Sequence, residues 1–73
     1  MMNYQKCVDQ LYFWKTGKDA SNFHSLLYHL ISKADPENRA RLRIGFRDEV
    51  QAFEDWQASP NEDEFFKAFG ISV

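Results

Sequence analysis

The amino-acid sequence predicts an all-α fold, a compact single domain of four to five helices spanning residues 1–73. Apolar residues recur three and four positions apart along most of the chain, and no segment alternates apolar and polar residues as a half-buried strand does. With three Gly and two Pro, the sequence leaves little room for long loops. Apolar residues make up 44% of the chain, which is ordinary for a folded protein. We expect helices at about 3–15, 20–34, 36–44, 47–58 and 60–69.

The first helix is predicted from an apolar stripe that includes Tyr4, Cys7 and Leu11. Phe13 falls on the opposite, polar face of this helix, and we therefore expect it to be exposed. Thr16-Gly17 is expected to end the helix, because Gly adopts the left-handed conformation of a helix C-terminus without strain. Cys7 is interpreted as a small buried apolar residue.

The second helix has the most regular apolar spacing in the chain. Asp19 or Ser21 can cap its first turn, since both side chains accept hydrogen bonds from backbone N–H groups. His24 and Tyr28 lie one turn apart beside the stripe, where they can share a hydrogen bond. The stripe that we expect to face the core consists of Phe23, Leu26, Leu27, Leu30, Ile31 and Ala34.

The third helix starts at Asp35-Pro36-Glu37, which supplies an N-cap Asp, a Pro at the first helical position and an acidic residue in the first turn. Its end allows two interpretations. A continuous helix past Gly45 leaves Ile44 on the polar face. A break or sharp kink at Gly45-Phe46 turns Ile44 inward and allows Asp48, together with Gln51, to cap a new helix. We favour the break.

The last helix is predicted from the residues at its two ends. Ser59-Pro60-Asn61-Glu62 is typical of a capping box with Pro at the first helical position. Gly70-Ile71 matches a Schellman ending, in which Gly takes the left-handed conformation and the next residue makes an apolar contact.

Residues in the middle of the chain resemble those of a known group of proteins. The segments are Ser21-Asn22-Phe23, Leu30-Ile31-Ser32-Lys33-Ala34-Asp35, Asn38-Arg39-Ala40-Arg41-Leu42 and Gly45-Phe46. Together they resemble small uncharacterised helical proteins encoded by bacteriophages and other bacterial mobile elements. In that pattern Pro usually follows Gly-Phe, whereas this chain has Arg47. The resemblance includes no catalytic motif. It implies a phage or prophage accessory protein, acting in the cytoplasm of a bacterial host.

Several functional classes are excluded by residues that the sequence lacks. No apolar run approaches the roughly 18 residues needed to span a bilayer, and the N-terminus lacks the apolar segment of a signal peptide. His24 and His29 are five positions apart, about 140° around a helix, so they cannot bind one metal ion together. No nucleophile elbow, phosphate-binding loop or zinc-protease motif is present. We therefore expect no metal, cofactor or small-molecule substrate and no enzymatic activity.

Charge is divided along the chain, although the net charge is only -2. Five of the nine cations lie between positions 33 and 47, and seven of the eleven acids lie between 48 and 64. Arg39, Arg43 and Arg47 are four apart and form a basic ridge if the helix is continuous, which would suit phosphate contacts. Arg41 lies elsewhere on the helix, where Glu37 can pair with it. The ridge can equally be a solvated face or pair with the acidic half of a second copy.

The aromatic residues favour a different function. Twelve of the 73 residues are Phe, Tyr or Trp, which is more than a small helical core is expected to cover. Phe13 and Phe66, with Glu62 and Glu64, are the candidate aromatic-acidic contact surface, because exposed aromatic residues are typical of binding hot spots. The sequence therefore favours a module that binds a host or phage protein or self-associates. The alternative is a small DNA- or RNA-binding regulator that uses Arg39, Arg43 and Arg47.

Overall fold

A computed structural model describes residues 3–17 and 21–72 of the chain. Those residues form five α-helices and contain no β-strand, which confirms the predicted all-α fold. The helices are α1 (Tyr4–Lys15), α2 (Phe23–Lys33), α3 (Pro36–Gly45), α4 (Arg47–Ala58) and α5 (Glu62–Ala68). The expected break after Gly45 is also confirmed, because α3 and α4 are separated by Phe46.

Helix α4 is central to the packing. It contacts α1, α2, α3 and α5, and α1 also packs against α2. The largest fully buried apolar side chains come from four helices: Leu11 from α1, Tyr28 and Ile31 from α2, Phe53 from α4 and Phe66 from α5. Helix α3 contributes no buried residue, so it covers the core from outside through partly buried side chains such as Leu42.

Most of the helices start with a side-chain cap. An Asn or Asp at the N-cap accepts a hydrogen bond from the backbone N–H three residues further on, which satisfies a donor that the helix itself leaves unpaired. The capping residues are Asn3, Asn22, Asp35 and Asn61. Asp35 confirms the prediction. Ser21 was the wrong choice for α2, because Asn22 lies at the cap, and the alternative, Asp19, lies outside the described residues.

The predicted caps of α4 and α5 are wrong. Asp48 lies inside α4, and Ser59 belongs to the end of α4 and not to the start of α5. Phe46 is both the C-cap of α3 and the N-cap of α4, so α4 starts without a side-chain cap and Asp48 is already helical. Ser59 caps the C-terminus of α4, and its hydroxyl donates to the carbonyl oxygen of Asn61. The capping position of α5 is therefore Asn61, two residues later than predicted.

Glycine ends two helices as predicted. Gly17 follows α1 with φ of 69°, and Gly70 follows α5 with φ of 81°. The Gly70 N–H donates to the carbonyl of Lys67 at 2.9 Å, and the Ile71 N–H donates to the carbonyl of Phe66 at 3.1 Å. This pair of bonds defines the Schellman motif. Ile71 also packs against the core, as expected.

Polar contacts join α1 to α2 and α4. The Tyr28 hydroxyl donates to the carbonyl oxygen of Cys7 at 2.7 Å inside the core, and the Tyr4 hydroxyl donates to Asp55 at 2.5 Å. Tyr28 therefore does not share the predicted hydrogen bond with His24, whose ring instead contacts Phe23 edge-on. Cys7 is fully buried, as predicted, and burial raises the pKa of its thiol to about 12.

Candidate protein-interaction surface

Helix α2 presents a row of apolar side chains to the protein surface. Phe23, Leu26 and Leu30 are 61%, 55% and 53% exposed, whereas Leu27 and Ile31 are buried. Positions 23, 26 and 30 are spaced by three and four residues, so they lie along one side of the helix. We refer to Phe23, Leu26 and Leu30 as the α2 apolar face.

This exposure corrects the expectation that the whole α2 stripe faces the core. The buried residues Ser25, Leu27, Tyr28 and Ile31 are centred about 100° around the helix from the centre of the predicted stripe. The reason is Tyr28, which is fully buried and whose hydroxyl is bonded to the backbone of α1. Burying Tyr28 turns the opposite edge of the stripe outward. The α2 apolar face is thus the functional candidate that sequence reasoning missed.

The α2 apolar face continues into a cleft between α2 and α3. The cleft has a volume of about 340 Å³ and is lined by Leu30, Lys33, Ala34, Asn38, Arg41 and Leu42. At the other end of the face, the Phe23 ring lies 6.0 Å from the ring of Phe46, centroid to centroid. We refer to the cleft beside Leu30 as the α2–α3 cleft. It gives the apolar row a concave end that an inserted side chain can occupy.

Ile44 is also exposed, which contradicts the prediction that the break turns it inward. Its exposed fraction is 88%, the highest among the exposed large apolar residues. The break brings Phe46, not Ile44, against the core. Phe46 lies between α3 and α4 and packs against the core, whereas Ile44, two residues earlier, is directed to solvent.

Two cations, Lys33 and Arg41, line the cleft at the Leu30 end of the α2 apolar face. Helix α2 contains no acidic residue, and its last residue is Lys33. Lys33 makes no ion pair within the described part of the chain. Arg41 pairs with Glu37 at 2.8 Å, as the sequence predicted, and both side chains are largely exposed. Such an exposed pair is weak, because water screens it.

The predicted arginine ridge does not form a continuous row on one helix. Arg39 and Arg43 lie on α3, and both contact Glu54 of α4. Arg39 also donates to the carbonyl oxygen of Ile31 at 2.9 Å, and its guanidinium lies 5.4 Å from the centre of the Phe53 ring. These contacts hold α3 against α2 and α4 and occupy the two arginines. Arg47 lies beyond the break, exposed in the first turn of α4.

Phe66 is not part of the predicted aromatic-acidic surface, because it is buried. Phe66 is only 2% exposed, and its ring packs against Tyr12 at 5.0 Å and Trp56 at 6.3 Å, centroid to centroid. It is therefore a core residue that fixes α5 to the rest of the fold. Phe13 lies outside the core cluster, as expected, but it is only partly exposed. Glu62 and Glu64 are exposed on α5, with Glu64 paired to Lys67 at 3.5 Å.

Comparison of the chain with family models, curated proteins and solved structures gave no match. Within residues 3–17 and 21–72, no three His, Cys, Asp or Glu side chains gather in a way that could hold a metal ion. In the same residues, no helix has both the length and the apolar character needed to cross a membrane. The fold and surface thus define a small all-α protein with an exposed apolar face on α2 that leads into a cleft lined by Lys33 and Arg41.

Proposed function

We propose that this protein is a non-enzymatic interaction module that binds another protein through the α2 apolar face. The observation that supports the proposal is the exposure of more than half of each of three adjacent large apolar side chains, Phe23, Leu26 and Leu30. Contiguous exposed apolar residues with a polar rim are typical of protein-binding surfaces. Covering the exposed half of these side chains contributes roughly 2–5 kcal/mol of apolar burial toward binding.

The alternative, a DNA- or RNA-binding regulator, has less support. Arg39 and Arg43 share the carboxylate of Glu54, so a phosphate group would have to compete with it. Of the three ridge residues, Arg47 makes no ion pair with any described residue. Nucleic-acid binding normally depends on several free cations that release counterions together. The ridge therefore supports nucleic-acid binding less directly than the α2 apolar face supports protein binding.

The biological setting is a further part of the proposal. The resemblance of residues 21–46 to small phage and mobile-element proteins supports an accessory role in a phage or prophage and action in the bacterial cytoplasm. The partner is then a host or phage protein, or a second copy of the chain. Location of the gene inside a prophage would agree with this setting, whereas a place in a conserved housekeeping operon would contradict it.

A pull-down from nuclease-treated bacterial lysate tests the proposed function. The baits are the tagged wild-type protein, the double variant Leu26→Glu/Leu30→Glu and the control Gln57→Glu, which adds charge at an exposed position of α4. We expect wild type and Gln57→Glu to retain the same protein at high salt, and the double variant to lose it. Sedimentation of the three purified proteins reports self-association through the same face.

Two results of this experiment contradict the proposal. Equal capture by the wild-type protein and by the Leu26→Glu/Leu30→Glu variant would show that the α2 apolar face is not the binding site. Recovery of nucleic acid only when nuclease is omitted, with no protein retained, would favour the DNA- or RNA-binding alternative. Circular dichroism of each bait confirms that it is folded, so loss of capture cannot be attributed to unfolding.

A further inference from the structure

We propose that the occupant of the α2 apolar face is an acidic amphipathic helix of a partner protein. This inference rests on the proposed function and specifies the chemistry of the partner. Its basis is the combination of a straight apolar row, a cleft at one end of that row, and two cations, Lys33 and Arg41, that line the cleft.

The shape of the face fits a helix. Phe23, Leu26 and Leu30 occupy positions i, i+3 and i+7, a straight row about 10 Å long over two helical turns. A second helix with apolar residues at the same spacing can lie along this row, which is how amphipathic helices dock in grooves. Beyond Leu30, the α2–α3 cleft of about 340 Å³ can receive one large apolar side chain of that helix.

The charges on the rim select an acidic helix. Lys33 and Arg41 both line the cleft, next to Leu30. Lys33 has no ion-pair partner within the described residues, and Arg41 has only the exposed Glu37. Because the Arg41–Glu37 pair is exposed and weak, a carboxylate on a docked helix can contact the unpaired Lys33 and compete with Glu37 for Arg41. Electrostatic complementarity of this kind favours one partner and speeds its association.

A second copy of the chain fits this surface poorly. In a two-fold dimer the same patch contacts itself, so Lys33 and Arg41 of both copies would lie in one interface, where Glu37 of each copy pairs with only one of the two cations. The acidic residues of α5 do not supply the missing helix. Helix α5 has seven residues, and its buried apolar side chain, Phe66, is already in the core. The charges therefore point to a different protein.

Selection from a displayed peptide library tests the inference. The library consists of peptides of about 16 residues with high helix propensity, long enough for four turns. It is selected on the full-length wild-type protein and counter-selected on Leu26→Glu/Leu30→Glu. We expect the enriched peptides to carry apolar residues at i, i+3 or i+4, and i+7, and to have a net negative charge.

The affinity of the best enriched peptide is then measured by fluorescence anisotropy. Binding to Lys33→Glu/Arg41→Glu is expected to be weaker by about tenfold or more, and to weaken as salt rises, because two attractive contacts become repulsive. The matched control, Lys67→Glu on α5, reverses a charge away from the face and is expected to stay within about twofold of wild type.

The outcomes separate this inference from the proposed function. Enriched peptides that depend on Leu26 and Leu30 but are neutral or basic, or that bind the Lys33→Glu/Arg41→Glu variant equally well, overturn the acidic partner and leave the α2 face as a binding site. If no enriched peptide depends on Leu26 and Leu30, both the acidic helix and the α2 face are overturned. Dimerisation through the face in place of peptide binding also overturns the inference.

Discussion

Two adjacent leucines of α2 provide a direct test of the orientation on which the interaction surface depends. Leu27 is 5% exposed and belongs to the core, whereas Leu26 is 55% exposed and belongs to the α2 apolar face. Both are leucines in the same helix, so substitution by Ala changes helix propensity equally at the two positions. Any difference between the stabilities of Leu26→Ala and Leu27→Ala therefore reports the difference in burial.

The burial of each side chain sets the expected magnitude. Removing a buried Leu side chain costs about 2–5 kcal/mol, because both apolar burial and packing are lost. A surface substitution without such contacts changes stability by about 0.5 kcal/mol or less. A chain of this length has a total stability of roughly 4–11 kcal/mol. Leu27→Ala therefore removes a large fraction of the stability, whereas Leu26→Ala leaves it nearly unchanged.

Thermal and urea unfolding, followed by far-ultraviolet circular dichroism, measure the two effects. A loss of 1 kcal/mol in the free energy of unfolding lowers the Tm of a small domain by about 4–8 °C. We therefore expect Leu27→Ala to lower the Tm by about 8 °C or more. We expect Leu26→Ala to shift it by no more than a few degrees. Equal destabilisation by the two substitutions, or a larger effect at Leu26, would refute the orientation of α2 and remove the apolar face.

Three further predictions concern polar groups in or near the core. Ser25 is buried and its hydroxyl has no hydrogen-bond partner among the described residues, so Ser25→Ala should raise the free energy of unfolding by about 1 kcal/mol in urea titration. Unchanged or lower stability would mean that the hydroxyl is satisfied. Glu54→Gln should lower stability by about 1 kcal/mol, because Arg39 and Arg43 lose a shared, partly solvated carboxylate, and 1 M salt should narrow this difference. A difference that is independent of salt would contradict the ion pairing. Burial raises the pKa of the Cys7 thiol to about 12, so the folded chain holds its proton after the unfolded thiol ionises, and stability falls as pH rises above about 9. Cys7→Ala removes this contribution, and its stability deficit relative to wild type should shrink by up to about 1.4 kcal/mol per pH unit between pH 9 and 11, whereas a constant deficit would contradict the shifted pKa.

Some helix ends were predictable from a few neighbouring residues, although the caps of α2, α4 and α5 were not. The start of α3 at Asp35-Pro36 and the endings at Gly17 and Gly70 depend on only a few adjacent residues, whose side chains or backbone freedom act locally. The break at Phe46 was predicted for a reason that is wrong, because Ile44, which the break was expected to turn inward, is exposed. The signal that remains is Gly45, which is costly inside a continuous helix. The cap of α5 was placed two residues early, because Ser59-Pro60 carries the same local signal as the true cap at Asn61.

Helix rotation was less predictable, because it depends on contacts between helices. The apolar residues of α2 together with Tyr28 cover more of the helix surface than α1 and α4 can bury, so periodicity cannot decide which of them face inward. The hydrogen bond from Tyr28 to the Cys7 carbonyl decides it, and that bond joins residues 21 positions apart. The same difficulty applies to Phe65 and Phe66, of which only Phe66 is fully buried.

The candidate site was missed for the same reason. Phe23, Leu26 and Leu30 were assigned to the core because they share a helical stripe with Leu27 and Ile31. One signal in the sequence could have separated them: the apolar arc of α2 is wider than the buried side of a surface helix usually is, once Tyr28 is counted. Arg39 and Arg43 looked free because their partner, Glu54, lies on another helix.

The fold does not require apolar side chains at Leu26 and Leu30. Both are more than half exposed, and Lys or Glu would form the helix almost as well as Leu. Charged residues there would also reduce the tendency of the protein to aggregate. Stability therefore explains Leu27 but not Leu26 and Leu30, and the proposed binding role would account for these two residues. Leu26→Lys/Leu30→Lys should consequently keep the Tm close to that of wild type while abolishing partner binding, and a large loss of stability in that variant would return both residues to a structural role.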